Sequence, residues 1–240
     1  MSEYRSLNHA LDVIENSTTD KDVWDTLFSF VKMCRIEALV YHYQPPPGSA
    51  DFAYPLVVKQ SFAGADSNLA DAIDHIFNAA LRDQISIASG EFIWRYTRKS
   101  LSDVLQDSHK LDIDGDIKGV SFPVHGPLGR TGFFSLVFDR NFHASNEDEI
   151  RVLKWACQNT HQAICKIKML EFESSSNLTD REIEILSWIA RGKSNSVIAD
   201  ILNISHHTVN TYVRRIFLKT NTNDRTSACL YGISNGFIQL

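Results

Sequence analysis

Cys157, His161 and Cys165 recur every four positions in this 240-residue chain. On a helix, that spacing puts two thiols and an imidazole on one side, as in part of a zinc site. No fourth ligand accompanies them and the stripe borders an apolar face, so no metal is expected. Asp112, Asp114 and Asp116 alternate like the start of a calcium loop. The glycine such a loop needs falls on Ile117 and its closing glutamate on Pro123, which argues against an EF-hand. Gly126, Gly129 and Gly132 lie between two strand-like runs with no helix after them, so they read as a turn and not a phosphate cradle. G-x-S-x-G, H-E-x-x-H and P-loop motifs are missing, and no nucleophile stands beside a base at a familiar spacing. The chain is not expected to be an enzyme.

The residues best suited to recognition lie between Lys193 and Arg215, KSNSVIADILNISHHTVNTYVRR. Two apolar-periodic segments flank a break at Leu202-Asn203-Ile204-Ser205, the spacing of a helix-turn-helix. The second helix of such a motif presents its N-terminal residues to the major groove of DNA. Val209, Val213 and Ile216 form its apolar side; Asn210, Thr211, Arg214, Arg215 and Lys219 face outward. Asn can pair with adenine, Arg with guanine, and a threonine methyl can touch the thymine methyl. Arg215, Lys219 and Lys193 suit phosphates, with Ser194, Ser205 and Thr208 as hydroxyls near helix N-termini and His207 toward the DNA backbone. The bland alternative is a small bundle with a merely solvated charged face.

The elements that must position these residues fall into two sets. Before the serine-rich stretch EFESSSNLTD, helical spacing at 5–16, 21–33, 67–83 and 146–171 alternates with strand-like runs at 37–44 and 54–62. A hairpin is predicted from VSFPVHG and TGFFSLVFD, and a weaker helix over 100–111. After that stretch, everything reads helical. Thr179 with Glu182 makes a capping box, Ser194 and Ser205 cap two further helices, and Asp224 starts a fourth. The predicted fold is α+β. An N-terminal α/β/α sandwich, with helices flanking an antiparallel sheet, precedes a C-terminal all-α four-helix helix-turn-helix domain. The boundaries are 1–170 for the first domain, 171–177 for a linker and 178–240 for the second.

Charge follows that division. From Asn177 onward seven Lys/Arg face five acids, while the whole chain carries −5. A mildly basic small part joined to an acidic larger part fits a sensor attached to a nucleic-acid binder. There is no run of 18 apolar residues, so no membrane span is expected, and the first residues lack the apolar core of a signal peptide. The expected home is the cytoplasm. The four cysteines form no C-x-x-C pair and are expected as thiols.

From Leu178 to Ile238 the chain resembles the DNA-binding domain of LuxR-type transcription factors. The matches are Leu178-Thr179, Arg181-Glu182, Gly192-Lys193-Ser194-Asn195, Ile198-Ala199, Leu202, Ile204-Ser205, Thr208-Val209, Lys219 and Asp224-Arg225-Thr226. Tyr212 stands where the family often has His. The resemblance implies a homodimer paired through about residues 224–236, on a double-stranded operator that is an inverted repeat with half-sites roughly 10 bp apart.

The first 170 residues resemble the family's autoinducer-binding domain more weakly, through YHYQPPPG, Phe92-Ile93-Trp94, Gly119 to Val124 and Phe134-Ser135-Leu136. This implies a ligand site for an acyl-homoserine lactone or another small apolar signal, and no other cofactor. Counting from Tyr54-Pro55 without gaps, the family's Trp falls on Val58, its second Tyr on Phe62 and its acid on Asp71; another register puts the acid at Asp74. Trp94 and Ser135 complete the set. Val58 and Phe62 cannot donate hydrogen bonds. A lactone carbonyl buried without its donor costs about 1–3 kcal/mol, or roughly 5- to 150-fold in affinity. A changed ligand, or none, follows. The expected function is a dimeric quorum-sensing-type transcriptional regulator. The alternatives are a ligand-independent orphan regulator and a heterodimerising antagonist of another regulator.

Overall fold

The computed structural model describes residues 2–53, 56–62, 69–80, 92–96, 116–139, 147–173 and 178–239. The chain forms two compact units. One comprises Met1–Gln44, Leu56–Gly126 and Thr131–Ile167; the other comprises Pro45–Pro55, Pro127–Arg130 and Lys168–Leu240.

In the first unit, helices α1 (Ser2–Asn16) and α2 (Asp20–Met33) precede strands β1 (Ile36–Gln44) and β2 (Leu56–Ser61). Helix α3 (Leu69–Ala80), strands β3 (Phe92–Tyr96), β4 (Ile117–His125) and β5 (Thr131–Phe138), and helix α4 (Glu147–Glu173) follow. Thr19 caps α2 by accepting from the Asp22 N–H at 3.2 Å, and Asp20 and Asp22 complement the positive end of the helix.

The strands make one antiparallel sheet in the order β2-β1-β5-β4-β3. Side chains alternate across it. Leu39, Tyr41 and Tyr43 of β1, with Phe134, Leu136 and Phe138 of β5, join the apolar cluster that includes α1, α2 and α4. Ala38 and Val40 of β1, with Phe133 and Val137 of β5, join a smaller cluster with Leu69, Ala72 and Ile73 of α3. Helices therefore cover both sheet faces, as the periodicities predict. The spacing did not predict β3 as a strand, and the weaker helix expected over 100–111 lies outside the described residues. α4 runs to Glu173, so its last residues enter the segment expected to be linker.

The second unit holds α5 (Asp180–Ala190), α6 (Asn195–Leu202), α7 (His206–Thr220) and α8 (Arg225–Ser234). Thr179, Ser194, Ser205 and Asp224 each accept a backbone N–H at the predicted N-cap. Thr179 and Glu182 form the full capping box. Apolar stripes from all four helices converge on Ile185, Leu186, Ile198, Val209, Val213, Ile216 and Ala228.

Candidate nucleic-acid interface and ligand-facing sheet surface

Asn203 ends α6 in the left-handed conformation (φ 50°), which Asn adopts more readily than most residues. The chain then turns within two residues into α7, capped by Ser205, whose Oγ accepts from the Thr208 N–H at 3.0 Å. Val209, Val213 and Ile216 are buried, as predicted, and Arg214, Arg215, His206 and His207 are exposed. Arg214 makes no hydrogen bond or ion pair with the described residues. The Arg215 guanidinium lies 5.8 Å from the Tyr212 ring centroid, a cation–π contact. Tyr212 packs against the bundle core. Thr211 donates its hydroxyl to the His207 carbonyl at 3.0 Å. Lys193 and Ser194 are exposed at the start of α6.

Two residues expected at the DNA are engaged elsewhere. Asn210 Oδ1 accepts from Asn195 Nδ2 at 2.6 Å, and Asn195 Oδ1 accepts from Arg225 Nη1 at 2.6 Å. Arg225 Nη2 also donates to the Lys193 carbonyl at 2.6 Å. In this arrangement Asn210 cannot offer adenine the free acceptor–donor pair that bidentate reading needs. It joins α7 to α6 and, through Arg225, to α8. Lys219 Nζ, expected at a phosphate, lies 2.7 Å from Glu182 Oε2. These partners lie 15 to 37 residues apart in sequence, beyond what periodicity reports.

Glu182 is 2% exposed. Burial alone would raise its carboxyl pKa, but hydrogen bonds from Lys219 and from the N–H and hydroxyl of Thr179 outweigh burial and hold it below the ordinary glutamate value. A depressed carboxyl contributes stability above the unfolded value of about 4.3, and that contribution is lost as pH falls through the lower folded value. Glu182→Gln is therefore expected to lower urea stability at pH 7 by about 1–3 kcal/mol. The gap to the parent should close in acid. An equal gap at pH 7 and pH 3 would refute the linkage.

On the α3 side of the sheet, Trp94 Nε1 donates to Ser121 Oγ at 2.8 Å, and Ser121 donates to Ser135 Oγ at 3.0 Å. All three are buried. Gly119 makes this row feasible, since a Cβ there would strike the Trp94 indole and the Leu136 carbonyl. His42 stacks on Phe133 with 4.5 Å between centroids, and its Nε2 lies 2.7 Å from Asp74 Oδ1. Lys59 Nζ reaches Asp71 at 2.7 Å and Asp74 at 3.4 Å.

The sheet brings Asp74, Trp94 and Ser135 to one face, with Asp71 at its more exposed edge. Val58 and Phe62 lie on the other face, packed against the α1–α2–α4 cluster, with Phe62 6.0 Å from Phe28. They cannot share a surface with Asp74, because β2 turns Lys59 and Ser61 toward α3 and its alternate residues away. Tyr54 lies outside the described residues. His42, Lys59 and Ser121 were missed by sequence reading, and only the glycine inside a strand run hinted at the row over β4.

Cys157, His161 and Cys165 all point into the buried face of α4. His161 Nδ1 lies 2.8 Å from the Tyr41 hydroxyl, and its Nε2 lies 3.4 Å from Cys165 Sγ. Burial pushes the Cys157 thiol up, away from the thiolate a metal needs. Asp116 pairs with Arg95, and Asp112 and Asp114 lie outside the described residues.

Residues 176–231 match the model of the bacterial regulatory proteins of the luxR family, and residues 66–164 match that of the autoinducer binding domain. The chain belongs to the LuxR family of regulatory proteins, with an autoinducer-binding domain ahead of its helix-turn-helix. Among relatives, the transcriptional activator protein AhyR of Aeromonas hydrophila is 32% identical over 126 residues, 50% of this chain and 48% of AhyR. The quorum sensing-dependent regulator VjbR of Brucella abortus is 39% identical over 80 residues, 33% of this chain and 30% of VjbR. The chain thus spans about half the length, or less, of these curated relatives. The crystal structure of Escherichia coli SdiA aligns with TM-score 0.69 over 99% of both chains at 20% identity, a likeness of fold. SdiA in complex with octanoyl-rac-glycerol aligns with TM-score 0.69 over 97% of this chain and 95% of that one, also at 20% identity.

Proposed function

We propose that this chain is a cytoplasmic transcriptional regulator of quorum-sensing type, binding an inverted-repeat operator as a homodimer. The observation that carries this reading is Arg214, exposed and, among the described residues, without a hydrogen-bond or ion-pair partner, on a helix braced from α6, α8 and Glu182. A braced helix with an exposed guanidinium suits bidentate reading of guanine. Arg215 and Lys193 serve phosphates, with the cap residues Ser194, Ser205 and Thr208 and with His207 beside them. Thr211 contributes its methyl. Selection of bound duplexes from a random pool by the purified chain tests this. Recovery of a two-fold symmetric motif with centres roughly 10 bp apart is expected. Recovery of no enriched duplex would end the reading.

The ligand that best suits the α3 face is small, neutral and apolar, with an acceptor for the Ser135 hydroxyl; an acyl ester like the one bound to SdiA has this chemistry. The Trp94 N–H is already given to Ser121, and Asp74 is held by His42 and Lys59, so acyl-homoserine lactones find weaker partners. Little thermal shift is expected with them. A lactone present at 1,000 times its Kd would add about 4 kcal/mol and move the transition by several degrees. Such a shift would remove the idea of a changed ligand. The same self-satisfied polar row favours a second reading, a ligand-independent regulator. Undiminished operator binding by protein made without any added signal and freed of bound small molecules would decide for it.

A further inference from the structure

We propose that residues 45–53 and the 127–130 turn clasp the outward face of α8 and compete there with a second copy of this chain. Pairing through α8 then requires the clasp to open. This rests on the reading of α8 as the pairing helix.

The second unit includes both segments, although in sequence they interrupt the first unit. Arg130 and Asp51 are 2% and 1% exposed. Arg130 donates from Nη2 and Nε to the two carboxylate oxygens of Asp51, at 2.9 and 3.2 Å, and from Nη1 to the Ser234 carbonyl at 3.1 Å. The end of α8 is tied down by the same loop. Asn235 Oδ1 accepts from the Ala50 N–H at 3.0 Å, its Nδ2 donates to the Gly48 carbonyl at 3.1 Å, and Ser234 Oγ donates to the Pro47 carbonyl at 2.8 Å. Gly48 has φ +84°, and a Cβ there would lie 2.7 Å from the Leu230 carbonyl carbon and 2.8 Å from the Tyr231 nitrogen.

Helix α8 has ten residues, so its length is about 15 Å. The loop takes the last turns, beside Leu230, Tyr231 and Ser234. What remains is the first turn, the Leu230 side chain, 42% exposed, and the half-buried Cys229, Tyr231 and Ile233. A stable dimer buries about 800 Å² per partner, which that remnant cannot supply. The clasp is also two-valued. A buried guanidinium and carboxylate are stable together and costly apart, so the loop is either seated or fully released.

The test is sedimentation equilibrium on the full chain. Gly48→Ala wedges the loop from α8 without touching charge, and Asp51→Asn weakens the ion pair at nearly constant volume. Each is expected to tighten self-association by about tenfold, since the apparent Kd scales with the fraction of open chains. Two variants guard against one failing to fold, which near-UV circular dichroism reports. Leu230→Glu added to either should return association to the parent level. Unchanged or weaker association in a folded clasp variant overturns the proposal. If Leu230→Glu weakens the parent's pairing while the clasp variants change nothing, α8 pairs and only the clasp is wrong. If clasp variants associate more tightly but Leu230→Glu does not reverse them, the pairing reading of α8 fails and takes the clasp with it.

Discussion

Arg214→Ala is expected to weaken operator binding by roughly 5- to 150-fold, the cost of about 1–3 kcal/mol for one lost base contact. The loss should be selective. Sequences differing at the base pair that Arg214 reads should become equivalent, while the thermal melt stays within a degree or so, because the exposed side chain makes no hydrogen bond or ion pair with the described residues. Arg215→Ala is the control. It should weaken all sequences alike and lower the salt slope by about one unit. Fluorescence anisotropy on a labelled operator and on single-base variants, at two salt concentrations, reads both effects. Equal weakening of every sequence by Arg214→Ala would make it a phosphate contact and leave base reading to other residues.

The second large effect concerns the sheet. Gly119→Ala should destabilise the first unit by about 3 kcal/mol or more, because the added methyl meets a bulky indole on one side and a backbone carbonyl on the other. The indole could give way only by leaving Ser121, which strands a buried N–H. Urea unfolding monitored by tryptophan emission is the measurement. A second substitution, Trp94→Leu, should recover part of the loss, since only the clash with the Leu136 carbonyl then remains. A Gly119→Ala protein as stable as the parent would show that the indole does not pack against Gly119.

How much of this was legible in the sequence differs between the two units. The four helices after residue 178 were readable from local signals. Thr179, Ser194, Ser205 and Asp224 are local signals, each acting on an N–H two or three residues away. Its apolar residues also repeat at helical period. The bracing around Asn210 and Lys219 was not readable, because a side chain that looks outward on a helical wheel can still be claimed by a distant partner. In the first unit, β3 escaped notice. Phe92 and Ile93 are both exposed and only Trp94 is buried, so the strand shows no alternation. The placement of Val58 and Phe62 failed differently. Counting along a resemblance fixes spacing but not which side of a sheet a residue faces. The pattern of β2, with Lys59 and Ser61 turned one way, held that information. The Asp51–Arg130 pair, 79 residues apart, left no trace in composition or period.

Strand β5 sends Phe134, Leu136 and Phe138 into one core and Phe133, Ser135 and Val137 into the other. Even-numbered and odd-numbered positions therefore answer to different packing demands. The first set holds the scaffold against three helices, and substitutions there are penalised whatever the signal. Under the proposed function, substitutions in the second set would reshape the face offered to a small molecule, while their neighbours one residue away keep the scaffold intact.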